Sequence, residues 1–318
     1  MILGPQATPT PPGPGSGTLD EVCPGVHAWV QPDGSWWVNN AGAVAGGDSV
    51  LVVDTCATEA RTRRFLDAVH TSTGGLPVRF AVNTHQHGDH AYGNSLLPAS
   101  TVLFGHPNMR EGLRMDPVIE GCPPLWDPVP DWGGVTRRLP HVTVESALTL
   151  HLGDRRIDLL HPGTPAHTTG DLVAWLPEER VLFSGDLVFA GLTPLVFMGS
   201  VTGALSAFDW LASFAAEALV PGHGPVLRGP AIDEVLEQHR RYYRFLIHTA
   251  EDGRSRGWSA LEAARQADLG EFAGWADAER IVLNLHRLYA DHEGRELDIP
   301  AAFGDAIAWL GRPMHTWV

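Results

Sequence analysis

The 318-residue chain carries 22 basic and 37 acidic residues, a formal net charge of −15. A surface of that sign repels a phosphate backbone, which argues against nucleic-acid recognition. Every basic residue is arginine, so Schiff-base chemistry on lysine and a lysine-bearing phosphate loop are excluded.

In chain order, residues 1–18 alternate proline and glycine with polar residues and have neither the basic nor the apolar region of a signal peptide; they read as a disordered tail. A strand is expected over residues 25–30, then a turn at 32–35 and a partner strand through Trp36, Trp37 and Val38, making a hairpin. The run from Ser49 to Val53 reads as a fully buried strand ending at Asp54. Residues 58–70 place Phe65, Leu66 and Val69 at helical spacing, with Thr58 as N-cap and Gly74-Gly75 as the stop. Residues 78–82 are another short apolar run, and a cluster of histidines follows at once in the loop at its end.

Residues 116–140, rich in proline and holding Trp126 and Trp132, read as a long functional loop. Strand signals resume at 142–144, 148–152, 157–160, 172–176 and 181–183, a helix starts near 203, and Leu219-Val220 leads into Pro221-Gly222-His223-Gly224. Beyond 230 the pattern is helical, over roughly 231–252, 259–267, 276–292 and 300–310. A layered catalytic domain over 19–230 with a helical C-terminal extension over 231–318 is therefore expected. No apolar stretch is long enough to cross a bilayer. Cys23, Cys56 and Cys122 show no C-x-x-C spacing and read as reduced thiols of a cytoplasmic protein or as small core residues.

The segment from Asn83 to His90 puts His85, His87, Asp89 and His90 within six residues. From an extended stretch, alternate residues His85 and His87 can reach one ion, while Asp89 and His90 turn toward a second. Three more candidates stand where strand-end loops fall: His167, Asp186 and His223. One such residue in a glycine-bearing turn is usually only a turn residue; together, in this order, they point to a metal centre. His106, His141, His151 and His161 have no motif around them, and His286 reads as a surface or packing residue of a helix.

On these positions, spread over residues 50–224, the chain resembles the metallo-β-lactamase superfamily. The resemblance implies an α/β (α+β) fold, a four-layer αββα sandwich with the active site at one edge between two sheets. It implies two zinc ions per chain, the first held by His85, His87 and His167, the second by Asp89, His90 and His223, with Asp186 bridging. Asp54 matches the family's early aspartate and would stand behind the ligands. A bridging hydroxide would attack an ester, thioester, lactone or amide, with Asp89 as the catalytic residue that orients it and shuttles its proton.

Asp186 stands where the best-known β-lactamases use cysteine, and His87 where flavodiiron enzymes use glutamate. Mono-iron sulfur dioxygenases of this fold keep the first motif, so the ligands alone leave zinc and iron open. Glyoxalase-II-like thioesterases bind glutathione with basic residues that include lysine, which is absent here. The segments 176–186 and 193–203 and the helical tail resemble actinobacterial members, among them ring cyclases and thioesterases of aromatic polyketide pathways, so aldol cyclisation of a polyketide is the alternative. A catalytically inactive binding protein is a third reading, although all seven ligand positions are intact. The expected partner is a small-molecule or carrier-bound acyl substrate, in an apolar pocket lined by Trp36, Trp37, Trp126 and Phe197, with Trp132, Phe189 and Leu192 nearby.

Overall fold

The computed structural model describes residues 17–31 and 34–318. Most of the expected tail, and Pro32 and Asp33 of the expected turn, lie outside the described residues; Thr18, assigned to the tail, opens the first strand. The first half contains β1 (Thr18–Cys23), β2 (Val26–Val30), β3 (Ala41–Ala45), β4 (Val50–Val53), α1 (Glu59–Ser72), β5 (Val78–Val82), α2 (Gly88–Ala91), β6 (Val102–Gly105), α3 (Pro107–Met115), β7 (Trp126–Asp127) and β8 (Val142–Thr143). One sheet runs β1-β2-β3-β4-β5-β6-β8. The second half contains β9 (Ala147–Leu152), β10 (Arg155–Leu160), β11 (Val173–Leu176), β12 (Val181–Phe189), α4 (Val201–Ser213), β13 (Ala218–His223) and β14 (Leu227–Arg228). These strands form a second sheet in the order β14-β13-β12-β11-β10-β9. Then follow α5 (Pro230–Ser255), α6 (Ala260–Gln266), α7 (Arg280–Glu293), α8 (Ile299–Leu310) and β15 (Met314–His315).

Side-chain alternation along the strands builds the layers. Val50 and Val52 of β4 pack with Phe65 and Val69 of α1, while Leu51 and Val53 point the other way, into a core shared with Val181, Phe183 and Val220 of the second sheet. Leu182, between two of those residues, faces Leu236, Leu246, Leu283 and Leu285 of the C-terminal helices. The result is helix, sheet, sheet, helix. Each such side chain contributes about 1.5–3 kcal/mol by leaving water. The C-terminal helices share their core with β12 and α4.

The hairpin differs from expectation. β2 pairs with β3, Trp29 opposite Ala41 and Val26 opposite Val44, whereas Trp36 and Trp37 lie in a turn, Trp37 at φ 66°. The sheet interface allows only small residues here: a Cβ on Gly42 would meet the Phe183 ring at 2.2 Å. Alanine and glycine are weak strand formers, so the sequence pattern favoured the neighbouring tryptophans. β12 also runs beyond its expected end at 183, with an irregularity after Phe183, and so carries Asp186 within the strand.

After α8 the chain returns to the first half. β15 pairs in parallel with β7, Thr316 Oγ1 donates to the Trp36 carbonyl at 2.6 Å, and the Trp317 carbonyl accepts from Arg61 Nη2 at 3.0 Å. No helix among the described residues is long and apolar enough to cross a membrane. The three cysteines are free, and burial pushes the Cys56 thiol up to about 12.

His239 of α5 ties the helical layer to the end of β12. Its Nδ1 donates to the Val235 carbonyl at 2.9 Å and its Nε2 accepts the Phe189 N–H at 3.1 Å. Burial pushes its pKa down from 6.5 to about 4. The folded state therefore binds fewer protons than the unfolded chain between those values, so this contribution is present above pH 6.5 and lost as pH falls to 4. The loss amounts to about 3 kcal/mol. His239→Gln, whose amide oxygen can still accept the Phe189 N–H, is expected to remove most of it; urea melts at neutral and acid pH check this, and an unchanged acid slope would refute it.

Candidate metal centre

Four strand ends converge on one edge between the sheets. β4 ends at Asp54; β5 leads into His85 and His87, and α2 turns Asp89 and His90 inward; β12 carries Asp186; β13 ends in His223. His167 stands in the turn before β11. The structure brings all seven expected ligands together in two donor groups, His85, His87, His167 and Asp186 in one, Asp89, His90 and His223 in the other. Donor atoms within each group lie within 4.8 Å of one another. Asp186 joins the groups, its oxygens 3.8, 3.4, 3.4 and 3.1 Å from the Nε2 atoms of His85, His167, His223 and His90. Asp89 Oδ2 is 3.3 Å from His223 Nε2 and 3.7 Å from His90 Nε2.

The outer ring nitrogens fix which lone pairs face inward. Thr84 Oγ1 donates to Asp54 Oδ2 at 2.7 Å and therefore accepts from His85 Nδ1 at 3.0 Å. His90 Nδ1 donates to Asp54 Oδ2 at 2.8 Å, His167 Nδ1 to the Leu195 carbonyl at 2.6 Å, and His223 Nδ1 to the Gly34 carbonyl at 2.7 Å. In each neutral ring Nε2 is then the unprotonated atom turned toward Asp186. His87 is reversed: its Nδ1 lies 3.1 Å from His85 Nε2 and 2.9 Å from His167 Nε2, while its Nε2 meets Met198 Sδ at 3.3 Å.

The electrostatics divide the groups. Burial pushes His85 well below its ordinary value and His167 down to about 3, so both are neutral. Burial also opposes charge on His90 and His223, but Asp186 and Asp89 outweigh it, raising His90 well above 6.5 and His223 to about 9. Asp186 shows the converse: burial favours its acid form, yet His223, His90, His85 and His167 hold its carboxyl well below the usual range. The Nε2 lone pairs of His85 and His167 both point at His87 Nδ1 from about 3 Å, and a proton there can serve only one of them, whereas a cation among the three rings would satisfy all three. His90 Nε2 and Asp186 Oδ1 are buried and face each other at 3.1 Å. The donor set, five imidazoles and two carboxylates, fits a pair of borderline-soft divalent ions.

Backbone at two positions makes room for this packing. Asp54 sits at φ 62°, a left-handed conformation that aspartate tolerates, which turns its carboxylate onto Thr84 and His90. A Cβ on Gly222 would lie 1.8 Å from Asp186 Oδ1. Gly222→Ala is expected to displace that carboxylate and to lower bound metal; unchanged metal content by elemental analysis would count against this.

The aromatic residues form two sets that meet where Phe303 packs on Phe197 at 5.6 Å. Phe197 lies parallel to His87 at 5.8 Å, and Phe189 parallel to His223 at 5.2 Å, so both touch the centre. Trp36 and Trp37 both pack on Trp126, at 5.6 and 5.1 Å, with Trp132, Tyr92 and Phe303 around them. Trp36 Nε1 also donates to Glu279 at 2.7 Å, and Leu192 is buried beside Ala276. His286 bonds Asp305 at 2.8 Å on the helical side, and His106 stacks on His161; none of them joins the donor groups. Thr84, Met198 and the Leu195 carbonyl were not foreseen as neighbours of the ligands. Only Thr84 carried a signal, its place inside the motif.

The chain matches the metallo-beta-lactamase superfamily over residues 34–223, more than half its length, and belongs to that superfamily. It is 27% identical over 205 residues to the 2,4-dinitroanisole O-demethylase subunit alpha of Nocardioides sp., covering 62% of this chain and 55% of that protein. A hydroxyacylglutathione hydrolase of Rhodospirillum rubrum is 26% identical over 148 residues, covering 46% and 48%. An acyl-coenzyme A thioesterase of Bos taurus is 25% identical over 186 residues, covering 50% and 65%. The chain thus spans about half the length of the first of these relatives. Among solved structures, a metallo-beta-lactamase from Pontibacter korlensis shares the fold with a TM-score of 0.57 at 18% identity, over 70% of this chain and 99% of that one.

Proposed function

We propose that this chain is a dinuclear zinc-dependent hydrolase of a small-molecule or carrier-bound acyl substrate: an ester, thioester, lactone or amide. Asp186 carries the reading, because one carboxylate lies between 3.1 and 3.8 Å from imidazole nitrogens of both donor groups. His85, His87 and His167 would hold the first ion, Asp89, His90 and His223 the second, with Asp186 between them. Ions bound there supply hydroxide near neutral pH and polarise the carbonyl that it attacks.

The chain's own residues do the rest. Burial favours the acid form of Asp89, but His90 and His223 hold its carboxyl below the usual range, leaving an anion able to orient a donor and take a proton. Asp54 and Thr84 keep the lone pairs of His85 and His90 turned inward. Phe189, Phe197 and Met198 limit water around the ligands. The names of two relatives, a hydroxyacylglutathione hydrolase and an acyl-coenzyme A thioesterase, support an acyl substrate.

Elemental analysis of metal-replete protein is expected to give two zinc ions per chain. A hydrolysis panel of aryl esters, acyl thioesters, lactones and β-lactams is expected to find a substrate that His87→Ala turns over at least about a thousandfold more slowly. Equal turnover by that variant would reject the mechanism. A single iron per chain would move the reading to oxygen chemistry, and ring closure of a poly-β-ketone without hydrolysis would favour a cyclase.

A further inference from the structure

The segment between β12 and α4, residues 190–200, is tied to the metal centre on one side and to α7 on the other. On the centre's side, the Leu195 carbonyl accepts from His167 Nδ1 at 2.6 Å, Phe197 lies parallel to His87, and Met198 Sδ is 3.3 Å from His87 Nε2. On the other side stands Asn284, fully buried on α7. Its Oδ1 accepts the Val196 N–H at 2.8 Å and its Nδ2 donates to the Pro194 carbonyl at 2.9 Å. One helical turn earlier, Arg280 Nη1 donates to the Thr193 carbonyl at 3.0 Å. The residues on either side of Leu195 are thus gripped by one amide. Both Asn284 and Arg280 lie outside residues 34–223, the span of the family match.

We propose that Asn284 is a positioning residue for the first metal site: from the C-terminal helices it fixes the Leu195 carbonyl, and through it the tautomer and placement of His167. The same grip holds Phe197 and Met198 against His87. This inference rests on the reading of His85, His87 and His167 as metal ligands. The physical ground is that the Val196 N–H and Pro194 carbonyl have no water to turn to in this apolar core; without Asn284 the segment must shift to satisfy them. A shift of a few tenths of an ångström at Leu195 passes directly to the His167 ring, and groups that orient a ligating histidine in this way set metal affinity.

The test uses the full chain with Asn284→Leu, which keeps the side chain's size but neither hydrogen bond. Tyr242→Phe is the control for local packing, since Tyr242 Oη takes a bond from the same amide at 3.3 Å. Zinc is titrated against a chromophoric chelator, and histidine N–H signals are recorded by NMR. The parent is expected to bind two ions; Asn284→Leu is expected to bind one of them at least about tenfold more weakly and to lose or shift the His167 Nδ1–H signal. Tyr242→Phe is expected to keep both ions and the signal. If Asn284→Leu does not fold, Asn284→Asp decides by the same readouts: it keeps an acceptor for Val196 but sets an oxygen against the Pro194 carbonyl. A folded variant with both affinities and the His167 signal unchanged overturns this inference alone. A parent that binds no zinc overturns the metal reading and this inference with it.

Discussion

Asp186→Ala is expected to lower bound metal from two ions per chain to one or fewer and to slow hydrolysis by a factor of about 10³ or more. This side chain reaches both donor groups: its oxygens face His85, His167, His223 and His90 within 3.8 Å. Removing it deletes the only carboxylate among the ligands of the first group. The second group keeps Asp89 but loses the anion that does most to raise the pKa values of His90 and His223. Asp186→Asn keeps the size and one acceptor oxygen but halves the charge compensation, so it should fall between the parent and the alanine variant. Metal content and kcat/KM on the best substrate of the panel provide the check. A variant with two ions and near-parental turnover would remove Asp186 from the mechanism and leave the shared-carboxylate reading without support.

The donor cluster was legible because its residues sit in short, unusual strings where chemistry and turn signals coincide. His85, His87, Asp89 and His90 fall in one loop, and His167, Asp186 and His223 each stand beside a glycine or threonine turn. The layers were legible from runs such as Val50 to Val53, whose alternate side chains serve two different cores. What escaped the sequence was set by tertiary contact. β3 is a strand because β2 and β4 pair with it on both sides, and Phe183 of the opposite sheet, which leaves no space above Gly42, keeps it poor in strand-forming residues. Trp36, Trp37 and Trp126, singled out for their ring chemistry, also join a packed cluster secured by Glu279 and the returning C-terminal segment, contacts that no local pattern announces. Asn284 and His239 show no motif at all. Each is a buried polar residue whose role exists only because a backbone group some 50 to 90 positions earlier in the chain needs a partner.

Asp54→Asn is expected to weaken metal binding by about 10- to 100-fold while leaving the fold largely intact. The backbone permits the change, since asparagine adopts the φ of 62° at this position as readily as aspartate does. The hydrogen bonds do not. One carboxylate oxygen accepts the Thr84 N–H at 2.7 Å; the other accepts Thr84 Oγ1–H at 2.7 Å and His90 Nδ1–H at 2.8 Å. An amide must place its NH2 at one of these positions, against a donor. Against the Thr84 N–H the clash has no escape. In the other orientation His90 can respond only by moving its proton from Nδ1 to Nε2, where the metal lone pair should be, and Thr84 is driven to release His85 in the same way. Asp54→Ala supplies the comparison. It introduces no wrong donor, so His90 keeps its choice of tautomer, but it leaves the donors unmet and puts a residue without a side-chain acceptor at positive φ, costing roughly 2–4 kcal/mol in total. The expected order is therefore inverted between two measurements: the asparagine variant should melt higher and bind zinc more weakly than the alanine variant. If affinity instead follows stability, Asp54 acts on the fold and not on the histidine tautomers.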